Sequence, residues 1–350
     1  MSGAALHPAP RRVLVKATNW LGDVVMSLPA LRAVRLAFPS AFLTVLVKRE
    51  LAGFFDGFGW IDRVIDYRIG SGFGGVADRG RLIASLRAEQ LDLAVLLPKS
   101  FEAALWALLA GIPRRAGWAT QGRGMLLTDR ARAHDPGREH QMNDYLRMLR
   151  ETLGIEAAAP EVAIEVADAR RERMSEWLAS RRRDGGPLIA LAPAAAYGPA
   201  KEWPADRYGA LIDRLDEVAA ARCVLVGTAA ERSRCLEVAA ASRAGAIVAA
   251  GETDVGDLVA LLSLSQGFAG NDSGAMHVAG ALGIPTVGVF GSTDPLRTGP
   301  LGNRSRVLYE RIECSPCFDR ACRFGHYDCL KRISVERVVD SLAELGAFAR

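Results

Sequence analysis

VLVKATNWLGDVVMSLPALRAVRLAFPSAFLTVLV, residues 13–47, decides the fold. Val13 to Ala17 is a short apolar run that reads as a buried strand. Thr18 to Asp23 follows as a tight loop, and Val24 to Ala37 has helical spacing, with Pro29 inside it as an expected kink or early break. Phe42 to Val47 is again strand-like. Strand, loop, helix and strand in that order open a parallel α/β sheet, because parallel neighbours need a helical crossover. The eleven residues before this unit, with Pro8 and Pro10, read as a disordered lead-in.

Working outward, the alternation continues. Leu93 to Leu97 is a strand, Phe101 to Ala110 a helix, Arg115 to Trp118 a short strand, His140 to Leu153 an amphipathic helix, and Glu161 to Val166 an extended stretch. Arg170 to Arg182 is a charged helix, ended by the breaker Asp184-Gly185-Gly186-Pro187. The pattern then restarts: strand at Leu188 to Ala192, helix at Ala205 to Ala220, strand at Cys223 to Val226, strand at Ala246 to Ala249, helix at Val255 to Leu264. A last helix spans Val335 to Phe348. A restart of this kind predicts two doubly wound α/β domains facing a cleft: residues 12–167, residues 187–334, and a C-terminal helix at 335–350 expected to return to the first domain.

The most informative loop is Gly270-Asn271-Asp272-Ser273-Gly274-Ala275-Met276-His277. It follows an apolar stretch and opens a small-residue helix, Ala275 to Leu282. Asp272 is expected as its N-cap. The N–H groups of Ser273 and Gly274 then stand unpaired in the positive field of a helix start, ready for phosphate. Gly274 has no Cβ to keep a ligand away, and His277, one turn in, can point the same way. Asp23 has the same expected role after the first strand, as a helix cap. Lys201 lies in the stiff loop Gly198 to Pro204, where a cation can meet a phosphate. Gly227 to Glu231 is another turn at a strand end, and Glu231 can accept from ribose hydroxyls. Walker A, zincin, nucleophile-elbow and dinucleotide-fingerprint motifs are absent, Gly72 to Gly75 included.

Composition narrows the classes. Half of the 350 residues are hydrophobic and 24% charged, as in globular proteins, and a net charge of +4 is too small to indicate nucleic acid as a partner. No run approaches the ~20 apolar residues of a membrane span, nor does a signal segment begin the chain, so the expected location is the cytoplasm. Four of the six cysteines cluster as Cys314, Cys317, Cys322 and Cys329, with His326 among them. For a cytoplasmic protein that spacing suggests a metal before disulfides, although it departs from the usual zinc patterns.

Several of these stretches together resemble the lipopolysaccharide heptosyltransferases, glycosyltransferase family 9. They are Thr18 to Pro29, Gly198 to Pro204 and Asn271 to His277, with Leu97 to Phe101 and Gly111 to Trp118 in agreement. The match runs in order from about residue 13 to 345, and is nearest to the members that add the second heptose of the inner core. Members acting at another core position, and a non-catalytic nucleotide- or glycan-binding protein on the same scaffold, are the alternatives. The resemblance implies two Rossmann-like domains in the GT-B arrangement and no cofactor. It implies ADP-L-glycero-β-D-manno-heptose as donor and a Kdo/heptose-lipid A acceptor at the inner face of the inner membrane. The implied reaction is a single inverting displacement without a metal. Asp23 is then the general base and Lys201 the cation on the departing ADP. Asp272, Ser273, Gly274 and His277 hold the donor, Glu231 its ribose, and Thr253 flanks the adenine. Ser273 stands where the family often has Thr, and Ala196 and Tyr197 where some members carry a hydroxyl pair. For an anionic acceptor, Lys99, Arg114, Arg115 and Arg123 are the chosen contacts, with Arg63 and Arg68 nearby.

Overall fold

The computed structural model describes residues 9–132, 137, 139–156, 163–181 and 186–349. Most of the lead-in, part of the extended stretch at 161–166 and half of the breaker at 184–187 lie outside these. The chain forms two compact units, Met1–Val162 and Ala163–Arg350.

In the first unit the order is β1 (Arg12–Lys16), α1 (Leu21–Ala37), β2 (Phe42–Lys48), β3 (Arg63–Tyr67), α2 (Gly72–Ala88), β4 (Leu93–Leu96), α3 (Phe101–Leu109), β5 (Arg114–Trp118), β6 (Asp129–Ala131) and α4 (Gln141–Leu153). All six strands pair in parallel in the order β3-β2-β1-β4-β5-β6. The strands read as nearly continuous apolar runs because helices cover both faces of such a sheet. Leu14, Leu46, Leu96, Tyr67 and Trp106 meet in one core layer, the last two rings edge to face at 5.1 Å. The helix α1 runs unbroken through Pro29, so the expected break does not occur. Residues 72–75, with their three glycines, start α2.

The second unit contains α5 (Asp168–Ala179), β7 (Leu188–Ala192), α6 (Ala205–Ala219), β8 (Arg222–Leu225), α7 (Arg232–Ala240), β9 (Ile247–Val248), α8 (Val255–Ser263), β10 (Gly267–Asn271), α9 (Gly274–Ala281), β11 (Thr286–Phe290), α10 (Pro295–Thr298), β12 (Ser305–Tyr309), α11 (Asp328–Lys331) and α12 (Val335–Glu344). Its sheet is again six parallel strands, β12-β11-β10-β7-β8-β9. Read from the other edge this is the same winding as the first sheet. Each sheet therefore reverses its winding once, between β1 and β4 and between β7 and β10.

Two expectations about the ends of this unit change. The helix α5, which precedes the restart at Leu188, already belongs here: Arg170 and Arg173 both reach the buried Asp257 of α8. The C-terminal helix, expected against the first domain, buries Val335, Val338, Val339 and Leu342 in the core of the second unit, beside Ile189, Leu211 and Val287. Its strongly one-sided apolar face finds its cover on the nearest sheet in sequence.

Candidate active site

Parallel sheets of this kind hold ligands beyond the carboxyl ends of their strands, where the winding reverses. In the second unit β7 and β10 are adjacent there, with Ala192 opposite Gly270. The register brings the loop after β7 beside the loop after β10. Gly270 makes the approach possible, since a Cβ there would lie 2.7 Å from the Phe268 ring and 3.0 Å from Ala192. Asn271, fully buried, ties the two loops: its Oδ1 accepts the Trp203 main-chain N–H and the Tyr208 hydroxyl, each at 3.0 Å.

Next to this tie sits a buried charge cluster. Lys201 Nζ donates to Asp272 Oδ2 at 2.6 Å, and the Thr293 hydroxyl donates to the same oxygen at 2.7 Å. His277 Nε2 faces Asp272 Oδ1 at 3.8 Å. Asp272 is 5% exposed and His277 3%. Burial alone would push the Asp272 carboxyl up; the neighbouring His277 and the Lys201 ammonium outweigh it and hold it at about 2. Asp272 is thus ionised throughout the physiological range and fixes the ammonium beside the start of α9.

The cap of α9 is Ser273, not Asp272. The Ser273 hydroxyl accepts the Met276 N–H at 3.5 Å. Asp272 still continues the sheet, its N–H donating to Val289 O, so its side chain is free for Lys201. The N–H groups of Ser273 and Gly274 take no partner among the described residues. Together with Lys201 they offer donors to an anion at one point. His277 Nδ1 is likewise buried with no hydrogen-bond partner among the described residues.

The other donor-side residues stand at the same sheet end, one and two strands away. Glu231 closes a capping box with Thr228, its Oε2 accepting the Thr228 N–H at 2.7 Å and hydroxyl at 2.9 Å. Thr253 precedes the Asp254 cap of α8, and its hydroxyl reaches Ala249 O at 3.5 Å. Gly251, at φ +80°, packs against Ala229 and brings these two turns together. Neither Glu231 nor Thr253 bonds to the Lys201–Asp272 pair. Tyr197, at the position of the missing hydroxyl pair, lies under Lys201 at 4.9 Å and under Arg320 at 5.4 Å.

In the first unit Asp23 is not the cap of α1 either. Trp20 occupies that position, and Asp23 is in the first helical turn, half-buried. Gln141, the first residue of α4, donates to Asp23 Oδ1 at 2.9 Å and also to the Tyr145 hydroxyl at 2.8 Å. Below this, Lys16 at the end of β1 is 2% exposed. Its ammonium donates to Ala17 O at 2.6 Å and Asn19 Oδ1 at 3.2 Å, and Tyr67 donates to the same Asn19 oxygen at 3.0 Å. Lys16 and Tyr67 therefore brace the loop that presents Asp23. Burial, and then the charge of Lys48, bring the Lys16 ammonium down to about 7.

The four acceptor candidates are placed differently from one another. Lys99 is exposed, 5.5 Å above the Trp118 ring. Arg114 is paired with Asp129 at 2.5 Å. Arg115 donates to the carbonyls of Leu126 and Ile112, each at 2.6 Å. Arg123 is wholly buried, bound to the carbonyls of Trp118, Pro98 and Ser100. Burial pushes it down to about 10. Its donors stitch the end of β5 to the loop after β4, which makes it a brace and not a surface contact. Three partners of the candidate residues have no signal in the sequence: Gln141 and Tyr145 in the first unit and Thr293 in the second. None belongs to a local motif, and each meets its partner only through the tertiary fold.

Paired Rossmann-like units, with a cation and an anion-ready helix start at the switch point of one of them, are the construction of GT-B glycosyltransferases. The profile of glycosyltransferase family 9 (heptosyltransferase) matches residues 79–328, and the chain belongs to that family and is a glycosyltransferase. It is 30% identical to lipopolysaccharide heptosyltransferase 2 of Salmonella typhimurium, over 95% of this chain and 98% of that protein. The solved structure of Escherichia coli ADP-heptose LPS heptosyltransferase II superposes with a TM-score of 0.83 at 27% identity, covering 95% of this chain and 98% of that one. A family 9 glycosyltransferase from Veillonella parvula superposes at 0.84 and 23% identity over 96% and 97% of the two chains; that likeness speaks for the fold alone.

Proposed function

We propose that this chain moves L-glycero-D-manno-heptose from ADP-heptose to the heptose of the lipopolysaccharide inner core, the reaction of a heptosyltransferase II. The names of its relatives support this choice of donor and acceptor. The observation that carries the chemistry is the Lys201–Asp272–Thr293 cluster beside the free amides of Ser273 and Gly274. A diphosphate leaving group gains negative charge as its bond to the sugar breaks. Donors already fixed at that point stabilise the developing charge without reorganising. Asp272 keeps Lys201 in place, and His277 lines the same spot.

In this reading the acceptor hydroxyl attacks the anomeric carbon, the bond from that carbon to the phosphate oxygen breaks, and ADP departs. Asp23 takes the hydroxyl proton, with Gln141 fixing which carboxylate oxygen faces it. Glu231 and Thr253 serve the nucleoside, and Lys99 with Arg114 and Arg115 serves the anionic acceptor. The acceptor is anchored in a membrane leaflet, so we place the protein in the cytoplasm at the inner membrane surface. Among the described residues no helix is long and apolar enough to cross a membrane, while Phe73 and Val76 at the start of α2 are widely exposed.

The test is a transfer assay with ADP-heptose and acceptors bearing no heptose or one. Only the one-heptose acceptor should react. Turnover of the heptose-free acceptor would move the assignment to another core position. Asp23→Ala should abolish transfer and leave ADP binding intact, whereas Lys201→Ala should weaken both.

A further inference from the structure

Between β12 and α11, residues 310–327 form neither helix nor strand. A stretch of this length inside a compact unit needs something to hold it. Main-chain bonds supply part: Phe318 N–H donates to Ser292 O at 2.7 Å, the Ser315 hydroxyl to Gly291 O at 2.5 Å, and Ala200 N–H to Arg320 O at 3.0 Å. The interior of the stretch is lined by sulfur. Cys314, Cys317, Cys322 and Cys329 surround one cavity of about 20 Å³ together with His326, Phe324 and Ser292. All four are free thiols.

We propose that Cys314, Cys317, Cys322 and Cys329 bind a thiophilic divalent metal ion of the zinc or iron(II) class, which fixes the segment behind the Lys201 loop.

A pocket of this size has room for an ion among the four sulfurs. Four sulfur donors, with no carboxylate in the lining, select a tetrahedral thiolate site over magnesium or calcium. The main-chain N–H groups of residues 324, 325, 326 and 327 lie around Cys322 Sγ. That ring of amides suits a thiolate held in a metal site, since N–H donors stabilise negative sulfur. Gly325 at φ +72° and Tyr327 at φ +56° give the backbone the turn that aims them.

His326 has the orientation of a supporting donor and not of a fifth ligand. Its Nδ1 accepts the Asp328 N–H at 2.9 Å, so the neutral ring carries its proton on Nε2. That nitrogen faces Cys314 Sγ at 3.8 Å. Among the described residues no three histidine, cysteine or acidic side chains already stand at ligand distance from a common point. Binding therefore draws together four thiols that already line one cavity. The consequence reaches the active site through short links. Ala200 and Ser292 border the cavity, one beside Lys201 and the other beside Thr293.

The experiment uses the full chain, purified under reducing conditions and titrated with Co²⁺. One ion per chain should bind, with thiolate-to-cobalt charge-transfer bands and the visible absorption of a tetrahedral site, and Zn²⁺ should displace it. Cys317→Ser and Cys322→Ser should each lose that spectrum, while Cys235→Ser, on α7, should keep it. A second measurement needs no variant: Zn²⁺ should slow iodoacetamide labelling of Cys314, Cys317 and Cys322 at least tenfold, mapped by mass spectrometry. Absence of a thiolate–cobalt spectrum together with unchanged labelling overturns the proposal. So does a cobalt spectrum that survives in both cluster variants.

Discussion

Replacing Lys201 by Met tests whether the buried pair is built as described. The substitution keeps the length and apolar stem of the side chain but removes the ammonium that donates to Asp272 at 2.6 Å. Asp272 has a depressed carboxyl, at about 2 against an ordinary 3.8. At 1.36 kcal/mol per pH unit this preference of the folded state for the carboxylate is worth about 2.5 kcal/mol near neutrality. Because the folded value is the lower one, that stability is complete above pH 4 and is lost as pH falls from 4 through 2. Removing Lys201 leaves the carboxylate buried with Thr293 and His277 only. Breaking a buried pair from one side costs about 3–5 kcal/mol, and the two remaining neighbours bring the expectation to about 2–4 kcal/mol. The assay is urea-dependent hydrogen exchange of the β7 and β10 amides, which reports this unit alone. At pH 7 Lys201→Met should lower their protection by that amount, and the gap from wild type should shrink toward pH 2. Adding Asp272→Asn should restore more than half of the loss, since it removes the stranded charge. A loss under about 0.5 kcal/mol at pH 7, or a gap independent of pH, would refute the reasoning.

Further outcomes follow from the first unit. Gln141→Leu should lower the transfer rate by about 10- to 100-fold with ADP affinity unchanged, the range set by a hydrogen bond to a charged group at about 1.5–3 kcal/mol; steady-state kinetics and ADP titration check it. Arg123→Met should destabilise the first unit by about 2–4 kcal/mol, because three carbonyls lose a buried donor. Thermal unfolding measures that loss, and an unchanged acceptor KM would agree with its being a brace. For Lys16 the folded value, about 7, lies below the ordinary 10.5. The unfolded chain therefore holds a proton that the folded one sheds between those limits, and stability rises with pH from 7 to 10.5. Lys16→Met should lack this rise, so parallel stability curves for the two proteins across pH 7–10 would contradict it.

The doubly wound class of both sheets was legible because parallel strands covered on both faces leave uninterrupted apolar runs, and because most of the central strands are followed by a helix-period segment. Short or polar edges were not. Arg63–Tyr67 and Ser305–Tyr309 alternate too weakly to announce strands, and become strands by pairing with a formed neighbour. The loop motifs pointed to Lys201, Asp272 and His277, which the structure brings into contact. What they missed was which side chain does the capping: Ser273 and Trp20 take positions that local preference gave to Asp272 and Asp23. In both cases a carboxylate that could have capped its own helix is drawn off by a partner distant in sequence, Lys201 in one and Gln141 in the other. Arg123 went astray for a related reason. A guanidinium beside a proposed anion site looks like a ligand in sequence, and only the fold shows three carbonyls closing around it.

The loops after β7, β10 and β11 carry the charge cluster, and those after β8 and β9 carry Glu231 and Thr253 with no bond joining the two groups. The sheet thereby separates two selective pressures. In the proposed reading, leaving-group chemistry is locked into three adjacent strands, where a change in one loop disturbs the other two. In the same proposed reading, recognition of the nucleoside sits on the turns at the far side of the same edge. A lineage can revise which nucleotide it accepts, turn by turn, while the machinery that breaks the sugar–phosphate bond stays intact.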